Sequence, residues 1–417
     1  MGNLFENIDH CRACSSKNLI DILDLGIQPL ANSLKDSVDA SEQKFPLSTV
    51  FCPDCALFQN KETVNREMLF DHYVWVTGTS RGAQEHSDAF HKRVREVSRI
   101  KKGDLVVEIA SNDGTFLKPF LNNGYRVLGI DPAQNIVQMA RESGVETLAA
   151  YWDVKIANQV VSEYGHPKVI IARNVMPHVS ELHEVVKGMY TCMADDGIGV
   201  IEFHDAGTIL QELHYDSIYH EHLSYFTIRS MANLLENSGF FTFDIDTSPI
   251  SGGSSVIYFA KEKRKLIQRY LSAVNRENEQ FAGDVSSWKD FADRCVMHRD
   301  QTRHIMDKFT GQTVVGFGAS ARSSTYLNYC GLSNAQISAV IDNNPLKQGL
   351  YTAGSSIRIV TTEEGLEMGP DLLFILAWNF KDEIIRECQS RGYKGEYFIP
   401  FPNTPYLTGN CNPEVTV

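Results

Sequence analysis

No apolar run in the 417-residue sequence approaches the roughly 18 to 20 residues that span a bilayer. The opening MGNLFENIDHCRAC has neither the basic start nor the apolar core of a secretory signal. It begins like a myristoylation signal, but Glu6 stands where Ser or Thr is required. Positive charge is also short: 39 Lys and Arg face 52 Asp and Glu, a net charge of −13. That balance argues against a general nucleic-acid or anionic-membrane binder while leaving room for a local phosphate pocket. Nine cysteines, an odd number spread along the chain, do not make a small disulfide scaffold. The three-glycine dinucleotide fingerprint is nowhere complete. These absences predict a cytoplasmic protein with no membrane segment and no nucleic-acid partner.

What is present is the composition of a protein that buries real cores, with 43% hydrophobic and 22% charged residues. The length suits two or three domains. Residues 1–70 carry two close cysteine pairs among turn residues. Within 71–260, short apolar runs at 105–109, 126–130, 169–172 and 198–203 alternate with helical segments, the pattern of a parallel sheet with crossover helices. Residues 261–417 begin with a charged helical stretch, read as a linker to about 308. A second α/β unit follows, with strands expected at 313–317, 337–341, 372–376 and 396–399. The expected fold is α/β, with two Rossmann-like units behind a small N-terminal lobe and no obvious sign of oligomerisation, so a monomer.

Cys11-Arg-Ala-Cys14 and Cys52-Pro-Asp-Cys55 are two C-x-x-C knuckles separated by 37 residues. Each can turn two thiolates toward a common centre, and four thiolates satisfy a tetrahedral zinc. A redox pair would need a single such motif in a βαβ setting. Cys11, Cys14, Cys52 and Cys55 leave no coordination position for water, which makes the expected Zn2+ structural.

The run Glu108-Ile-Ala110-Ser-Asn112-Asp-Gly114 closes a strand and opens a helix. A pyrophosphate needs close backbone approach, which Ser111, Asn112 and Asp113 obstruct. A carboxylate at the strand end and polar groups in the turn suit a ligand with a cationic amino-acid end. The next strand ends at Asp131-Pro132, where an acid can accept from two ribose hydroxyls. Together these point to S-adenosylmethionine. Asn174 and His178 follow the next expected strand, at the carboxyl edge where such sheets bind ligands.

Four of the thirteen histidines fall between His204 and His222, densest in Tyr219-His220-Glu221-His222. A metal site, a solvated polar loop and a proton-transfer site all fit these residue types, and proton transfer fits best beside the expected cofactor. In the C-terminal unit, Gly316-Phe-Gly318-Ala-Ser320-Ala-Arg322 is a strand-to-helix turn suited to a phosphate. Asn344, Lys347 and Tyr351 follow its next strand.

CRAC, CPDC, PLANS (29–33), EIASNDGTFL, ARNVMPHV, YDSIYHEHLSYF, GFGASARSS and DNNPLKQGLY cover nearly the whole chain. In these motifs the sequence resembles the nucleotide-sugar C-3 C-methyltransferases of branched-chain deoxysugar biosynthesis. The resemblance implies a zinc-binding lobe, an S-adenosylmethionine domain and a C-terminal domain that helps hold a nucleotide sugar, dTDP-linked or GDP-linked. It implies catalytic roles for His222 as base and for Glu221, Tyr219, His178 and Tyr73. Glu108, Ala110, Asn112, Gly114, Asp131, Pro132 and Asn174 would line the cofactor, and Ser320, Arg322, Asn344, Lys347 and Tyr351 the substrate. An O- or N-methyltransferase on a nucleotide sugar, an NAD-dependent oxidoreductase and a zinc-dependent binding module are the competing readings.

Overall fold

The computed structural model describes residues 4–70, 77–79, 81–280 and 282–409. The N-terminal lobe has a two-stranded ribbon of β1 (Phe5–Asn7) and β5 (Glu62–Val64). It also has an antiparallel sheet of β2 (Ile20–Pro29), β3 (Lys44–Cys52) and β4 (Leu57–Asn60). The interval between the cysteine knuckles is therefore a hairpin of long strands. A fourth strand comes from far along the chain: β11 (Ser224–Tyr225) pairs with β4, Ser224 opposite Gln59 and Tyr225 opposite Phe58.

The central sheet contains β6 (Leu105–Ile109), β7 (Arg126–Asp131), β8 (Thr147–Ala149), β9 (Val169–Arg173), β10 (Ile198–His204), β12 (Phe241–Ser248) and β13 (Ser254–Ala260). Their order is β12-β13-β10-β9-β6-β7-β8, with β13 antiparallel to both neighbours and the rest parallel. All five residues of β6 and all seven of β10 are buried, as expected of strands covered on both faces. The crossover helices are amphipathic: Leu182–Cys192 buries Leu182, Val185, Val186 and Met189 against the sheet. From β6 the chain winds outward through β7 and β8, then returns to β9 on the other side. This reversal opens a crevice at the carboxyl ends of β6 and β9.

The C-terminal sheet has the order β16 (Ile359–Val360), β15 (Ala339–Ile341), β14 (Val314–Phe317), β17 (Leu372–Ile375), β18 (Glu396–Ile399), β19 (Tyr406–Thr408). It is parallel except for β19 and has its own switch point between β14 and β17.

The stretch read as a linker is instead a packing element. The helix Val285–Asp307 buries Trp288, Phe291, Cys295, His298, Thr302 and Met306. Trp288 stacks on Phe58 of the N-terminal sheet with ring centroids 4.1 Å apart, and its indole N–H donates to the Ala282 carbonyl. One apolar cluster runs from Leu25 and Phe51 through Tyr215 and Trp288 to Tyr326 and Phe374. The charged residues visible in sequence cover only the outer face of this helix, while its inner face joins two sheets. Trp288→Ala should therefore lower stability by about 3–5 kcal/mol, read as a shifted urea midpoint; an unchanged midpoint would contradict a shared core.

Candidate active site

Backbone strain marks the central crevice. Ala110, Asn112 and Asn174 hold φ of 53°, 50° and 52°, the left-handed region that side chains rarely adopt, and Gly114 sits at 77°. Three non-glycine residues in that region cluster at the ends of β6 and β9. Asp131 closes β7; its Oδ2 accepts from Asn112 N–H and its Oδ1 from Ala133 N–H, both at 3.0 Å. Each oxygen keeps a second lone pair for a hydroxyl, and Pro132 follows directly. Gly129 in β7 is required by close approach, since a Cβ there would lie 2.4 Å from Ser111 Oγ.

Glu108 is 2% exposed, and its Oε2 has no hydrogen-bond partner among the described residues. Burial pushes its carboxyl up to about 8, against the pull of Arg173. Arg173 lies 3.5 Å from Glu108 and 3.0 Å from Glu202, and His86 adds a 3.2 Å contact to Glu202. Burial raises Glu202 too, but Arg173 and His86 prevail and hold it near 2. A bare buried carboxylate oxygen, a strained polar turn and an acid with open lone pairs fit a ligand with an ammonium at one end and a ribose at the other.

The segment from His214 to Phe226 crosses beside this crevice. The His222 Nδ1–H donates to the Ser217 carbonyl at 3.0 Å, which leaves Nε2 as the lone-pair nitrogen. The Tyr219 hydroxyl donates to that nitrogen at 2.6 Å. His178 packs edge-on to His222, ring centroids 4.7 Å apart, and its ring donates to the Glu221 carbonyl. Burial drives His222 well below the usual imidazole range, and His178 down to about 4. Glu221 is pushed up to about 7 by burial, partly opposed by the Asn32 amide, which donates to its Oε1 at 2.6 Å. His220 points the other way: its Nε2 bonds the Pro46 carbonyl and its ring packs on Phe45. Tyr73 lies outside the described residues.

The N-terminal lobe fixes this segment. The four cysteine sulfurs lie within 4.8 Å of one another, the arrangement of a tetrathiolate zinc site. Gln59 Nε2 donates to Cys11 Sγ at 3.2 Å, orienting that ligand. Arg12, inside the first knuckle, donates to the Asn60 carbonyl at 2.6 Å and the Leu223 carbonyl at 3.4 Å. The Asn60 amide donates to the Tyr219 carbonyl. Two links therefore separate a zinc ligand from the histidine turn.

In the C-terminal unit, Ser320 caps the helix Ala321–Cys330. Arg322, expected as an open cation for a diphosphate, forms a bidentate pair with buried Asp216 at 2.8 and 2.9 Å and donates to the Ser251 carbonyl. The Trp378 indole N–H donates to the same carboxylate. Lys347 is similarly engaged, with the Ala319 carbonyl at 2.8 Å and Asp342 at 3.4 Å. Both charges are matched internally, and for Asp216 this matters because a buried carboxylate without a cation would be costly. Asn344 closes a turn on Leu346 N–H, and Tyr351 pairs its backbone with Lys35 of the N-terminal lobe. The structure thus brings His178, Tyr219, Glu221 and His222 together, and groups the strained turn with Glu108 and Asp131. Of the five C-terminal residues, Arg322 reaches the histidine segment through Asp216 and Tyr351 meets the N-terminal lobe, while Ser320, Asn344 and Lys347 stay on their own sheet edge. Asn32, Arg173, Glu202 and Asp216 are not among the residues that the sequence singles out, although Asn32 (PLANS), Arg173 (ARNVMPHV) and Asp216 (YDSIYHEHLSYF) stand within its motifs.

Comparison with known proteins places three family models along the chain: a zinc binding domain over residues 11–70, a methyltransferase domain over 82–242, and a C-methyltransferase C-terminal domain over 249–402. The chain is 33% identical to the C-methyltransferase NovU of Streptomyces niveus over 414 residues, 96% of this chain and 97% of that one. Among solved structures, a Pyrococcus horikoshii OT3 protein aligns at 16% identity with a TM-score of 0.38, covering 47% of this chain and 99% of that chain. A Synechocystis PCC 6803 magnesium protoporphyrin IX methyltransferase aligns at 12% identity and TM-score 0.34, covering 43% of this chain and 80% of that chain.

Burial holds His220 near 4 against an ordinary value of 6.5, so the folded protein binds fewer protons than the unfolded chain in between. This component of stability is present above about 6.5 and is lost as pH falls toward 4. His220→Gln should remove it, so the variant should lose less stability than wild type between pH 7.5 and 5. The difference should be on the order of 2 kcal/mol, measured by urea unfolding at both pH values; parallel losses would show that His220 does not titrate this way.

Proposed function

The chain belongs to the S-adenosylmethionine-dependent C-methyltransferase family, and from that premise we propose that it methylates C-3 of a nucleotide-linked 4-keto-6-deoxysugar through an enolate. We read it as a cytoplasmic monomer acting on a dTDP-linked sugar, with GDP as the alternative carrier. The observation that carries this reading is the neutral His222, whose Nε2 lone pair is aimed at the Tyr219 hydroxyl beside a second buried imidazole.

The C-4 ketone acidifies the hydrogen on C-3, because the electron pair left by the proton delocalises onto oxygen. His222 Nε2 takes that proton and becomes an imidazolium. In the free protein Tyr219 occupies the same lone pair, so substrate entry must turn the phenol aside, toward the developing oxyanion. A well-aimed donor there is worth roughly 3 to 4 kcal/mol. Glu221 supplies the negative charge that an imidazolium in a dry cleft needs, since Asp216, the other acid of the segment, is already paired with Arg322. His178 walls the site against His222. Tyr73 remains a proposed further hydroxyl.

Bound S-adenosylmethionine supplies an electrophilic methyl group to the carbanionic C-3. Glu108 takes its ammonium and Asp131 its ribose hydroxyls, with Ala110, Asn112, Gly114, Pro132 and Asn174 forming the walls. Holding the reacting carbons about 3 Å apart accounts for much of the rate. The nucleotide end lies toward Ser320, Asn344 and Tyr351. Arg322 and Lys347 shape that edge through Asp216 and Asp342 and offer the diphosphate only their remaining N–H groups.

Incubation with methyl-labelled S-adenosylmethionine and a dTDP-4-keto-6-deoxysugar in deuterated water, read by mass spectrometry, should give a product heavier by one methyl. C-3 hydrogen washout should occur without the cofactor. Methylation without washout would indicate O- or N-transfer instead. His222→Asn should cost about 10²–10⁴-fold in turnover with cofactor binding unchanged, and full activity in that variant would remove His222 as the base.

A further inference from the structure

Asn32 belongs to neither the cofactor cradle nor the histidine turn, yet its amide donates a hydrogen bond to the Glu221 carboxylate, at 2.6 Å. We propose that Asn32 is a positioning residue for the proton-transfer step: its amide holds the Glu221 side chain in one orientation and in its ionised form. The inference rests on the reading of His222 as base given above.

Glu221 is 4% exposed, and burial favours its neutral form. An N–H donated to a carboxylate favours the charged form, and the Asn32 bond is the one influence acting in that direction. The titratable groups around Glu221 cannot take over this role. On its own turn stand Tyr219, His220 and His222, and His178 approaches from the loop after β9; burial disfavours the charged form of all three histidines. Lys35, three residues beyond Asn32, sends its ammonium to the Val38 carbonyl and Ser356 Oγ. Arg322 is held by Asp216. A neutral amide is what remains.

Asn32 is itself held firmly. Ser33 N–H donates to the Leu30 carbonyl and Leu34 N–H to the Asn32 carbonyl, both at 3.0 Å, which fixes the turn. Lys35 then exchanges two backbone hydrogen bonds with Tyr351, each 2.8 Å, and Glu42 accepts from Gly354 N–H at 2.7 Å. The segment 30–42 is stapled to the C-terminal loop at one end and presents Asn32 to the histidine turn at the other. These bonds fix the backbone on either side of Asn32, which is itself exposed, so its amide reaches the buried Glu221 carboxylate from a set position.

The test uses Asn32→Ala in the full-length zinc-loaded protein, with an unchanged urea midpoint and cofactor affinity as controls for folding. The acidic limb of the kcat profile should move up by about one pH unit, with turnover near neutrality falling about tenfold. In a Glu221→Gln background, Asn32→Ala should cause no further loss, whereas a merely structural role would lower activity in both backgrounds. Carbon NMR of glutamate-labelled protein gives a readout that needs no substrate: the buried carboxyl resonance missing from Glu221→Gln should titrate at higher pH in Asn32→Ala. An unmoved NMR midpoint, or equal losses in both backgrounds, overturns the inference. A moved midpoint in a protein that fails to methylate the 4-keto sugar keeps Asn32 in its role and removes the proposed reaction.

Discussion

An irregular segment can be buried only if its backbone N–H and C=O groups find partners, because an unpaired amide or carbonyl away from water costs a large part of a domain's stability. The stretch from His214 to Phe226 lies under this constraint, with Tyr215, Asp216, Ser217, His220, Glu221 and Ser224 all buried. No single lobe satisfies it. The N-terminal sheet takes Ser224 and Tyr225 as an edge strand, and Arg12 and Asn60 cap the Leu223 and Tyr219 carbonyls. The loop after β9 contributes the Pro177 carbonyl, which accepts Leu223 N–H at 2.6 Å. The C-terminal unit neutralises Asp216 with Arg322 and Trp378. The three lobes are thus a joint solution to burying one polar turn.

Burial of that turn also sets its electrostatics. Removed from water, the imidazoles of His178 and His222 stay neutral, which suits the base of the proposed reaction. In that reaction the same environment would penalise an imidazolium, so a nearby acid would have to be kept ionised, and Glu221 is the acid of the turn not paired with Arg322. Around the cofactor cradle the balance is struck differently. Arg173 is shared between two buried carboxylates, fully compensating Glu202 and only partly compensating Glu108. In the proposed reading a cationic ligand would complete that balance.

Much of this was legible before the fold was seen. Two C-x-x-C knuckles report their chemistry by ligand type alone, and the Glu108-to-Asp131 spacing reports a strand, turn and strand because both periods are local. The YHEH cluster was visible as residue types, although not its division of labour: His220 is a docking residue for Pro46, while His222 faces the cleft. What stayed hidden depends on contacts distant in sequence. Arg322 read as a phosphate ligand because its partner Asp216 lies 106 residues away. The helix Val285–Asp307 read as a connector because its charged face dominates composition, whereas its function depends on Trp288 meeting Phe58. Asn32 gave no chemical signal, since an amide acquires a role only from the acid it meets.

If the zinc lobe holds the histidine turn in place, removing the metal should loosen that turn. Hydrogen–deuterium exchange of the 214–226 amides, compared between the zinc-loaded protein and protein stripped by a chelator, decides this. Loss of protection in that segment together with β2–β4, while β6, β7 and β9 stay protected, is the predicted result. A turn that keeps its protection after the metal is gone would contradict it.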